Sequence, residues 1–295
     1  MLHNLPEVRG DYLIDYPIGE SSFLKVGGKC DVLFYPKDKE DLAGFLRNRP
    51  SGLQVTVIGN TSNTIILDGG IRGCVINLSK YMNRIEILVE EAVVDAGAQL
   101  SQFINKSVER SLSSCEKLCG IPGTIGGAIA MNAGVPGFEI ANAFIAALFL
   151  DYDGNESFIT NSMLNMQYRN GNIPAGLIAT TTMFRANRAS KKALEATIMN
   201  ATAKRVDTQP TRCATCGSTF KNPPEKKAWA LIKEAGCDTL SVGGAAVSSK
   251  HCNFLINTGC AKASDFVELI TIIKKRVLEE TGVLLEEEIK VIGER

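Results

Sequence analysis

The sequence has no excess of charge of either sign. Lysine and arginine together number 32, as do aspartate and glutamate, so the formal net charge is zero at pH 7. Proteins that bind nucleic acid as a polyanion carry a basic surplus. We therefore do not expect nucleic acid as a partner, although local basic pockets for phosphate groups stay open. No segment indicates an obligate protein partner.

Long hydrophobic runs are also missing. The first twenty residues, MLHNLPEVRGDYLIDYPIGE, contain no apolar segment of the kind that a signal peptide needs. The most apolar stretch, ANAFIAALFL at 141–150, is too short to span a bilayer and contains Asn142. The nine cysteines are scattered and odd in number, which without a secretory signal favours reduced thiols. We expect a cytoplasmic protein without membrane insertion.

Two common nucleotide-binding fingerprints are absent. The chain has neither G-x-G-x-x-G nor G-x-x-x-x-G-K-[ST] where its glycines cluster. It has instead GIPGTIGGAIAMNAGVPG at 120–137, without a single charged residue. Such glycines can let backbone N–H groups surround an anion, or they can form a packed corner between strands. The segment alone leaves both interpretations open.

A second candidate loop lies in VIGNTSNTIILDGGIRG at 57–73, between two β-rich runs. Its small hydroxyl and amide side chains could bind diphosphate oxygens, or they could form an ordinary β-turn followed by an Asx-type turn. Taken alone, the second interpretation is favoured. Two such loops in one β-rich half of the chain nevertheless favour a large nucleotide with a diphosphate.

The pattern of apolar residues predicts strands and helices, and a change of pattern near residue 187 indicates two domains, 1–187 and 188–295. The first half reads as short strands interrupted by helices at 39–48 and 99–110, with a hairpin at 145–159 that turns at Asp153-Gly154. The second contains an amphipathic helix at 264–282 and a last strand at 288–293. The helix has Ser264 and Asp265 at its start and Gly282 at its end, and its apolar face comprises Phe266, Ile270, Ile273 and Val277.

The two loops, in this order, resemble those of the UDP-N-acetylenolpyruvoylglucosamine reductase (MurB) family. The resemblance covers the chain from about Ser21 onward and is specific, because eight blocks follow in the family's order. The blocks are SSFLKVGGKCDVLFYP (21–36), VIGNTSNTIILDGGIRG, GIPGTIGGAIAMNAG, MQYRNG (166–171), RVDTQP (205–210), CGSTFKNP (216–223), GGAAVSSKHCNFLIN (243–257) and LEEEIKVIG (285–293). The short interval between Tyr168 and Gln209 is similar to that of the compact members, which lack an extra substrate-covering loop.

This resemblance implies a fold and a cofactor. The fold would be an FAD-binding domain of the vanillyl-alcohol-oxidase type, made of two lobes, followed by a smaller α+β substrate-binding domain. FAD would be non-covalent, since the only histidines, His3 and His251, lie outside the flavin loops. The implied FAD-binding residues are Gly59, Asn60, Thr61, Ser62, Asn63, Gly120, Gly123, Thr124, Gly126, Gly127, Asn132 and Gly134. For Asn132 we expect the side-chain amide to turn into the cradle.

The family reaction uses NADPH to reduce an enolpyruvyl ether of UDP-N-acetylglucosamine to UDP-N-acetylmuramate, in peptidoglycan precursor synthesis. Such a reaction needs a group that holds the carboxylate and an acid that protonates the α-carbon. By resemblance, Arg169 is the catalytic arginine, Ser218 the proton donor and Glu288 the glutamate near the C-terminus. Because a serine hydroxyl is a weak acid, it needs polarising by neighbours such as Lys221 or by the developing carbanion itself. On spacing alone, Arg169 is more simply a surface residue, Ser218 a turn residue and Glu288 one residue of a solvated acidic run.

Five further residues are candidates for the UDP-sugar. Arg205 would pair with the diphosphate, Asn222 would bond polar groups, and Tyr168 would pack near the sugar, while a structural role for His251 is at least as plausible as a binding one. The five are Tyr168, Arg205, Lys221, Asn222 and His251.

The chain departs from the family in three places. The loop at 59–63 reads GNTSN where relatives have more glycine, so Asn60 and Thr61 must adopt glycine-like backbone angles or bind with their side chains. Glu287 replaces a proline, and Gly171 replaces a serine.

Three alternatives remain. Cys213 and Cys216 form a C-x-x-C that could be a redox pair, or half of a metal site whose second half would be Cys115 and Cys119. Incidental thiols are favoured, and no metal is expected. The same flavin fold could serve an oxidase of a small alcohol. A nucleotide-binding module without turnover is the third.

Overall fold

The computed structural model describes residues 4–295, so His3 lies outside the described residues. In chain order the elements are β1 (Asp11–Tyr16), α1 (Ile18–Ser21), β2 (Cys30–Tyr35), α2 (Lys39–Asn48), β3 (Val55–Ile58), β4 (Thr64–Ile66), β5 (Ile71–Asn77), β6 (Ile85–Ile87), β7 (Glu90–Asp95), α3 (Leu100–Glu109), β8 (Leu112–Ser113), α4 (Ile125–Ala130), β9 (Gly134–Val135), β10 (Phe138–Glu139), β11 (Phe144–Leu150), β12 (Glu156–Thr160), α5 (Asn161–Leu164), β13 (Ile178–Arg188), α6 (Lys191–Thr208), α7 (Ala228–Glu234), β14 (Ser241–Val242), β15 (Ala245–Val247), β16 (Leu255–Asn257), α8 (Ala263–Thr281) and β17 (Lys290–Ile292). Across residues 4–295, no helix combines the length and the apolar character needed to cross a bilayer.

Contacts divide the chain into two compact units that alternate along the sequence. The first unit comprises residues 4–14, Val32–Asn60 and Gly73–Lys204, and the second comprises Asp15–Asp31, Thr61–Arg72 and Arg205–Arg295. This differs from the predicted division into consecutive domains at 187. The reason is the parallel pairing of β4 with β17, which ties an early segment to a late one. Local periodicity does not reveal such pairing.

The first unit is built on two main sheets. One has the strand order β12-β11-β13-β7-β6, with β8 paired to the end of β13, and its pairs are antiparallel. The other has the order β1-β2-β5-β3, with β3 and β5 parallel. Six aromatic side chains anchor the core, and full burial of each contributes about 1.5–3 kcal/mol. They are Phe34, Phe45, Phe103, Phe144, Phe149 and Phe184, all fully buried.

Two predicted elements of the first unit are confirmed. Helix α2 occupies 39–48, and the Asp38 side chain accepts a hydrogen bond from the Asp41 N–H at 2.9 Å at its start. Strands β11 and β12 form the predicted hairpin. In its turn the Asp151 carboxylate accepts hydrogen bonds from the backbone N–H groups of Asp153 and Asn155, each at 2.8 Å.

In the second unit α8 packs against the sheet β14-β15-β16, and α7 packs against α8. The predicted apolar face of α8 is confirmed as buried, and Gly282 ends the helix with a φ of 70°. The predicted N-terminus is confirmed in part, because the Asp265 carboxylate accepts a hydrogen bond from the Lys262 N–H at 3.0 Å. The Asp68 carboxylate, rather than the Ser264 side chain, accepts hydrogen bonds from the N–H groups of Ala263 (2.8 Å) and Ser264 (2.9 Å). A cap from a distant residue leaves no local signal.

Candidate active site

The glycine run at 120–137 contains a short helix that the sequence analysis did not predict. Gly120 and Gly123 have φ values of 84° and 124°, which side chains rarely adopt, and they turn the chain into α4. Thr124 precedes the helix, and its hydroxyl oxygen accepts a hydrogen bond from the Gly127 N–H at 3.3 Å. The run therefore forms a tight corner that leads directly into a helix.

The two predicted flavin loops meet in the first unit. A Cβ on Gly59 would lie only 2.5 Å from the Thr124 hydroxyl oxygen, so glycine is required there. The Asn77 amide donates to the Gly59 carbonyl at 3.1 Å, and the Asn60 amide donates to the Gln99 side-chain oxygen at 2.8 Å. The structure thus brings Gly59 and Asn60 beside the glycine run, as a shared cofactor site requires.

Close packing and an open surface both occur in the glycine run. A Cβ on Gly126 would lie 3.2 Å from Ala96, and a Cβ on Gly134 would lie 2.8 Å from the Glu139 side chain, so these glycines are packed. Gly127 is exposed, and apart from Thr124 nothing lies near the place of its Cβ. The interpretation as a packed corner therefore holds at Gly126 and Gly134, while the backbone at Gly127 is open. The open backbone at Gly127 suits the approach of an extended cofactor such as FAD.

The other half of the GNTSN loop belongs to the second unit. Thr61 has a φ of 56°, an unusual value for a β-branched residue, and is 8% exposed. Its hydroxyl oxygen accepts a hydrogen bond from the Phe23 N–H at 3.2 Å, and its carbonyl accepts one from the Thr64 N–H at 3.2 Å. These bonds hold Thr61 in the conformation that glycine would adopt more easily. Ser62 and Asn63 follow it directly, both half-buried.

The side chain of Asn132 does not turn into the cofactor cradle, as the sequence analysis expected, but bonds groups of the protein. It is fully buried, and its amide donates to the Glu139 carboxylate at 2.7 Å and to the Gln167 carbonyl at 2.9 Å. Its oxygen accepts a hydrogen bond from the Ala141 N–H at 3.3 Å. Because both amide hydrogens are donated to protein groups, this side chain stabilises the end of the glycine run rather than turning into a cradle.

Arg169 lies beside the glycine run in the first unit. Its Nη2 donates to the Gly134 carbonyl at 3.0 Å, and its guanidinium lies 5.0 Å from the centre of the exposed Tyr168 ring. The residue has a φ of 55° in a tight turn. A Cβ on Gly171 would lie 2.0 Å from the Ile129 carbonyl oxygen, which explains why this chain has glycine there.

Ser218 and Glu288 are neighbours in the second unit. Ser218 follows Gly217, which has a φ of 79°, and forms a β-bridge with Phe254. The Glu288 N–H donates to the carbonyl of Thr219, the residue after Ser218, at 2.8 Å. The structure therefore brings a hydroxyl and a carboxyl residue, 70 positions apart by their numbers, onto adjacent backbone segments.

Glutamates 286 and 287 are paired with lysines. Lys221 forms an ion pair with Glu286, and Lys274 of α8 forms one with Glu287 at 2.8 Å. Glu286 is nevertheless 73% exposed, as a solvated acidic run would be, whereas Glu287 is about one-third exposed. Since the Lys221 ammonium is held by Glu286, polarisation of Ser218 by Lys221 is not supported by the geometry. Lys221 remains a predicted substrate residue.

Asn253 is a residue that the sequence analysis missed. It is 3% exposed, its side-chain oxygen accepts a hydrogen bond from the Phe220 N–H at 3.0 Å, and its amide donates to the Phe220 carbonyl at 2.8 Å. Its own carbonyl accepts a hydrogen bond from the Thr219 N–H at 2.8 Å. Asn253 thus fixes the backbone that follows Ser218. A lone asparagine in an apolar stretch gives no signal of this kind.

The predicted substrate residues of the second unit are dispersed. The half-buried His251 accepts a hydrogen bond from the Asn253 N–H at 3.3 Å, and burial lowers the pKa of its imidazole. It lines a groove of about 640 Å³ together with Trp229, Lys233 and Lys250. Arg205, Lys221 and Asn222 are not part of this lining, and the Asn222 oxygen accepts a hydrogen bond from the Ala228 N–H at 3.0 Å.

The two cysteines of the C-x-x-C differ sharply. Cys213 is exposed, whereas Cys216 is buried and its thiol donates to the Thr64 carbonyl at 3.2 Å. Burial raises the pKa of Cys216 to about 12, so it remains a thiol at neutral pH. Among residues 4–295, no three His, Cys, Asp or Glu side chains are grouped to hold a metal ion.

Comparison with protein families defines the class of protein. An FAD binding domain matches residues 30–156, and the C-terminal domain of UDP-N-acetylenolpyruvoylglucosamine reductase matches residues 209–292. A glucose dehydrogenase, Phl p 4.0202, matches with a TM-score of 0.50 at 13% identity, over 94% of this chain and 57% of that one, which shows a shared fold. The predicted α+β fold with an FAD-binding domain of the vanillyl-alcohol-oxidase type is confirmed.

Full-length relatives define the family. UDP-N-acetylenolpyruvoylglucosamine reductase of Parvibaculum lavamentivorans is 41% identical over 100% of this chain and 95% of its own length, and that of Rickettsia typhi is 39% identical over 98% of each. The crystal structure of the MurB enzyme from Thermus caldophilus has a TM-score of 0.83 and 31% identity, covering 97% of this chain and all of that one. The chain belongs to the UDP-N-acetylenolpyruvoylglucosamine reductase family.

Proposed function

We propose that the protein uses NADPH and non-covalently bound FAD to reduce UDP-N-acetylglucosamine enolpyruvate to UDP-N-acetylmuramate, a step of peptidoglycan precursor synthesis. The observation that carries this is that, in a member of the family, the predicted acid groups lie on adjacent segments. The Glu288 N–H donates to the carbonyl of Thr219, which directly follows Ser218. Arg169, beside the glycine run, supplies the cation.

The cofactor site is proposed for the two glycine-bearing loops. Gly59 and the run from Gly120 to Gly134 would hold FAD, with the open backbone at Gly127 facing it. When bound, FAD would supply the chemistry of hydride transfer from NADPH to the enolpyruvyl group. Asn132 contributes indirectly, because its buried side chain fixes the end of the run.

Side chains of the protein are proposed to stabilise the developing negative charge and to supply the proton. The guanidinium of Arg169 is permanently charged and can hold the substrate carboxylate, on which negative charge develops. The Ser218 hydroxyl donates a proton to the α-carbon, and Glu288 stabilises or protonates the same intermediate. Tyr168, Arg205, Lys221, Asn222 and His251 are proposed to bind the UDP-sugar.

An absorption experiment tests the proposed activity. The purified protein is given NADPH without oxygen and then the enolpyruvyl UDP-sugar. We expect a flavin spectrum that bleaches with NADPH and returns only with the sugar. Recovery with oxygen alone would indicate an oxidase, and bleaching with no recovery by either would indicate a module without this turnover.

A variant separates the role of Ser218 from that of the cofactor. Ser218→Ala should retain FAD and bleach with NADPH, yet recover with the sugar at least a hundredfold more slowly, because a general acid contributes about 10²–10⁴ to the rate. Ser241→Ala, at an exposed position of the same unit, serves as the control. Near-normal recovery in Ser218→Ala would contradict the assignment.

The proposed location is the cytoplasm, where NADPH is supplied. All nine cysteines carry free thiols, which is compatible with a reducing compartment.

A further inference from the structure

The segment that carries Glu288 is held on two sides within the second unit. On one side, the Glu288 N–H donates to the Thr219 carbonyl at 2.8 Å, and the Lys221 N–H donates to the Glu286 carbonyl at 2.9 Å. On the other side, the Lys290 N–H donates to the Asn63 carbonyl at 3.0 Å. Both neighbours of the segment therefore fix its backbone.

The side chain of Asn63 adds a bond that the strand pairing does not supply. The parallel ladder between β4 and β17 begins at the pair Thr64–Lys290. Glu288 lies two residues before that pair, and its carbonyl accepts a hydrogen bond from the Asn63 side-chain amide at 3.0 Å. The amide thus extends the contact to the residue whose carboxyl group the reaction uses.

We propose that Asn63 is a positioning residue for Glu288, a role that rests on the proposed function of Glu288. Asn63 lies in the GNTSN loop, where the family resemblance implied contact with the flavin. Its amide instead holds the Glu288 carbonyl, while its own carbonyl holds the Lys290 N–H. Glu288 is then fixed on both of its peptide groups, which limits the positions that its carboxyl group can reach.

A second contact restricts the neighbouring residue. Glu287 forms a β-bridge with Phe220, and its carboxylate lies 2.8 Å from the Lys274 ammonium on α8. Both partners of this ion pair are about one-third exposed, so the pair contributes little free energy. Asn63, which bonds the Glu288 peptide itself, is the more direct constraint.

The test compares Asn63→Ala, Glu288→Gln and the double variant of the FAD-loaded enzyme. Asn63→Ala should bleach with NADPH within about twofold of the wild-type rate and recover with the enolpyruvyl UDP-sugar about tenfold more slowly, since one positioning hydrogen bond is lost. If Asn63 acts through Glu288, the double variant should be no slower than Glu288→Gln alone.

Hydrogen exchange gives a readout independent of activity. The Ile289 N–H belongs to the same peptide group as the Glu288 carbonyl, so it should exchange faster in Asn63→Ala. Asn60→Ala is the matched control, because the Asn60 amide bonds Gln99 and its loss should leave this exchange unchanged.

Three results would overturn the proposal. Independent, multiplicative losses in the double variant would place Asn63 outside the action of Glu288. Loss of FAD from Asn63→Ala, with unchanged exchange at Ile289, would place Asn63 at the flavin. A Glu288→Gln enzyme with normal recovery would instead refute the role of Glu288 itself and leave nothing for Asn63 to position.

Discussion

Asn253→Ala should unfold the second unit at markedly lower denaturant concentration. The substitution removes the two side-chain bonds to Phe220, at 3.0 and 2.8 Å, and leaves a backbone N–H and a carbonyl without these partners. Phe220 is 1% exposed, so water does not replace them readily. Each buried polar group left unpaired costs about 1–3 kcal/mol, and we expect a combined loss of about 3 kcal/mol in the free energy of unfolding.

The chain offers a local probe for this measurement. Its single tryptophan, Trp229, lies on α7 in the second unit, so tryptophan fluorescence during urea titration reports that unit. Thr271→Ala, on the exposed side of α8, is the control and should change the free energy by no more than about 0.5 kcal/mol. A loss below about 1 kcal/mol in Asn253→Ala would refute the inference that these bonds hold the backbone beside Ser218.

Three further predictions concern charge and exposure. Arg169→Ala should slow substrate reduction roughly a hundredfold or more while leaving flavin bleaching nearly unchanged in stopped-flow experiments, because the proposed role of the cation is to hold the substrate carboxylate. Equal losses in both half-reactions would indicate a structural role. Burial lowers the pKa of His251 in the folded protein, so the unfolded chain takes up the imidazole proton at a higher pH than the folded chain does. The stability that this residue contributes is therefore present above about pH 6.5 and is lost as pH falls through the lower folded value. His251→Gln should lose less free energy of unfolding than the wild type between pH 7 and 5 in parallel urea titrations. The exposed thiols of Cys213 and Cys260 should react rapidly with a disulfide reagent, and the buried thiols should react only after unfolding. A rapid phase that persists in the Cys213→Ser, Cys260→Ser double variant would contradict this.

Local patterns in the sequence predicted the regular elements well. Helices α2 and α8 and the β11–β12 hairpin follow from apolar spacing and turn residues, which are properties of contiguous segments. Helix α4 escaped prediction because glycine disfavours helices, and here tertiary contacts override that preference. Helix propensity therefore does not predict a segment such as α4, whose conformation depends on tertiary packing.

The arrangement of the site was harder to predict. The family resemblance indicated Ser218 and Glu288 as a pair, but the bonds that place them come from Asn253 and Asn63. Each is a single amide whose partner is distant in the sequence, as Asn63 and Glu288 are separated by 225 positions. Likewise, Asn132 occupies a predicted site position, yet its partners lie within the protein. Residue type alone does not distinguish an amide that binds a ligand from one that binds backbone.

The parallel pairing of β4 with β17 has a consequence for the order of folding during synthesis. Every segment of the first unit precedes residue 205, so that unit can fold while the rest of the chain is still being made. Strand β4 can pair with β17 only after β17 has been synthesised. Until then Ile65 and Ile66, which are fully buried in the folded protein, lack some of the groups that bury them. Prolonged exposure of apolar side chains during synthesis favours association between chains. Pauses late in translation should therefore lower the yield of folded protein more than pauses within the first unit.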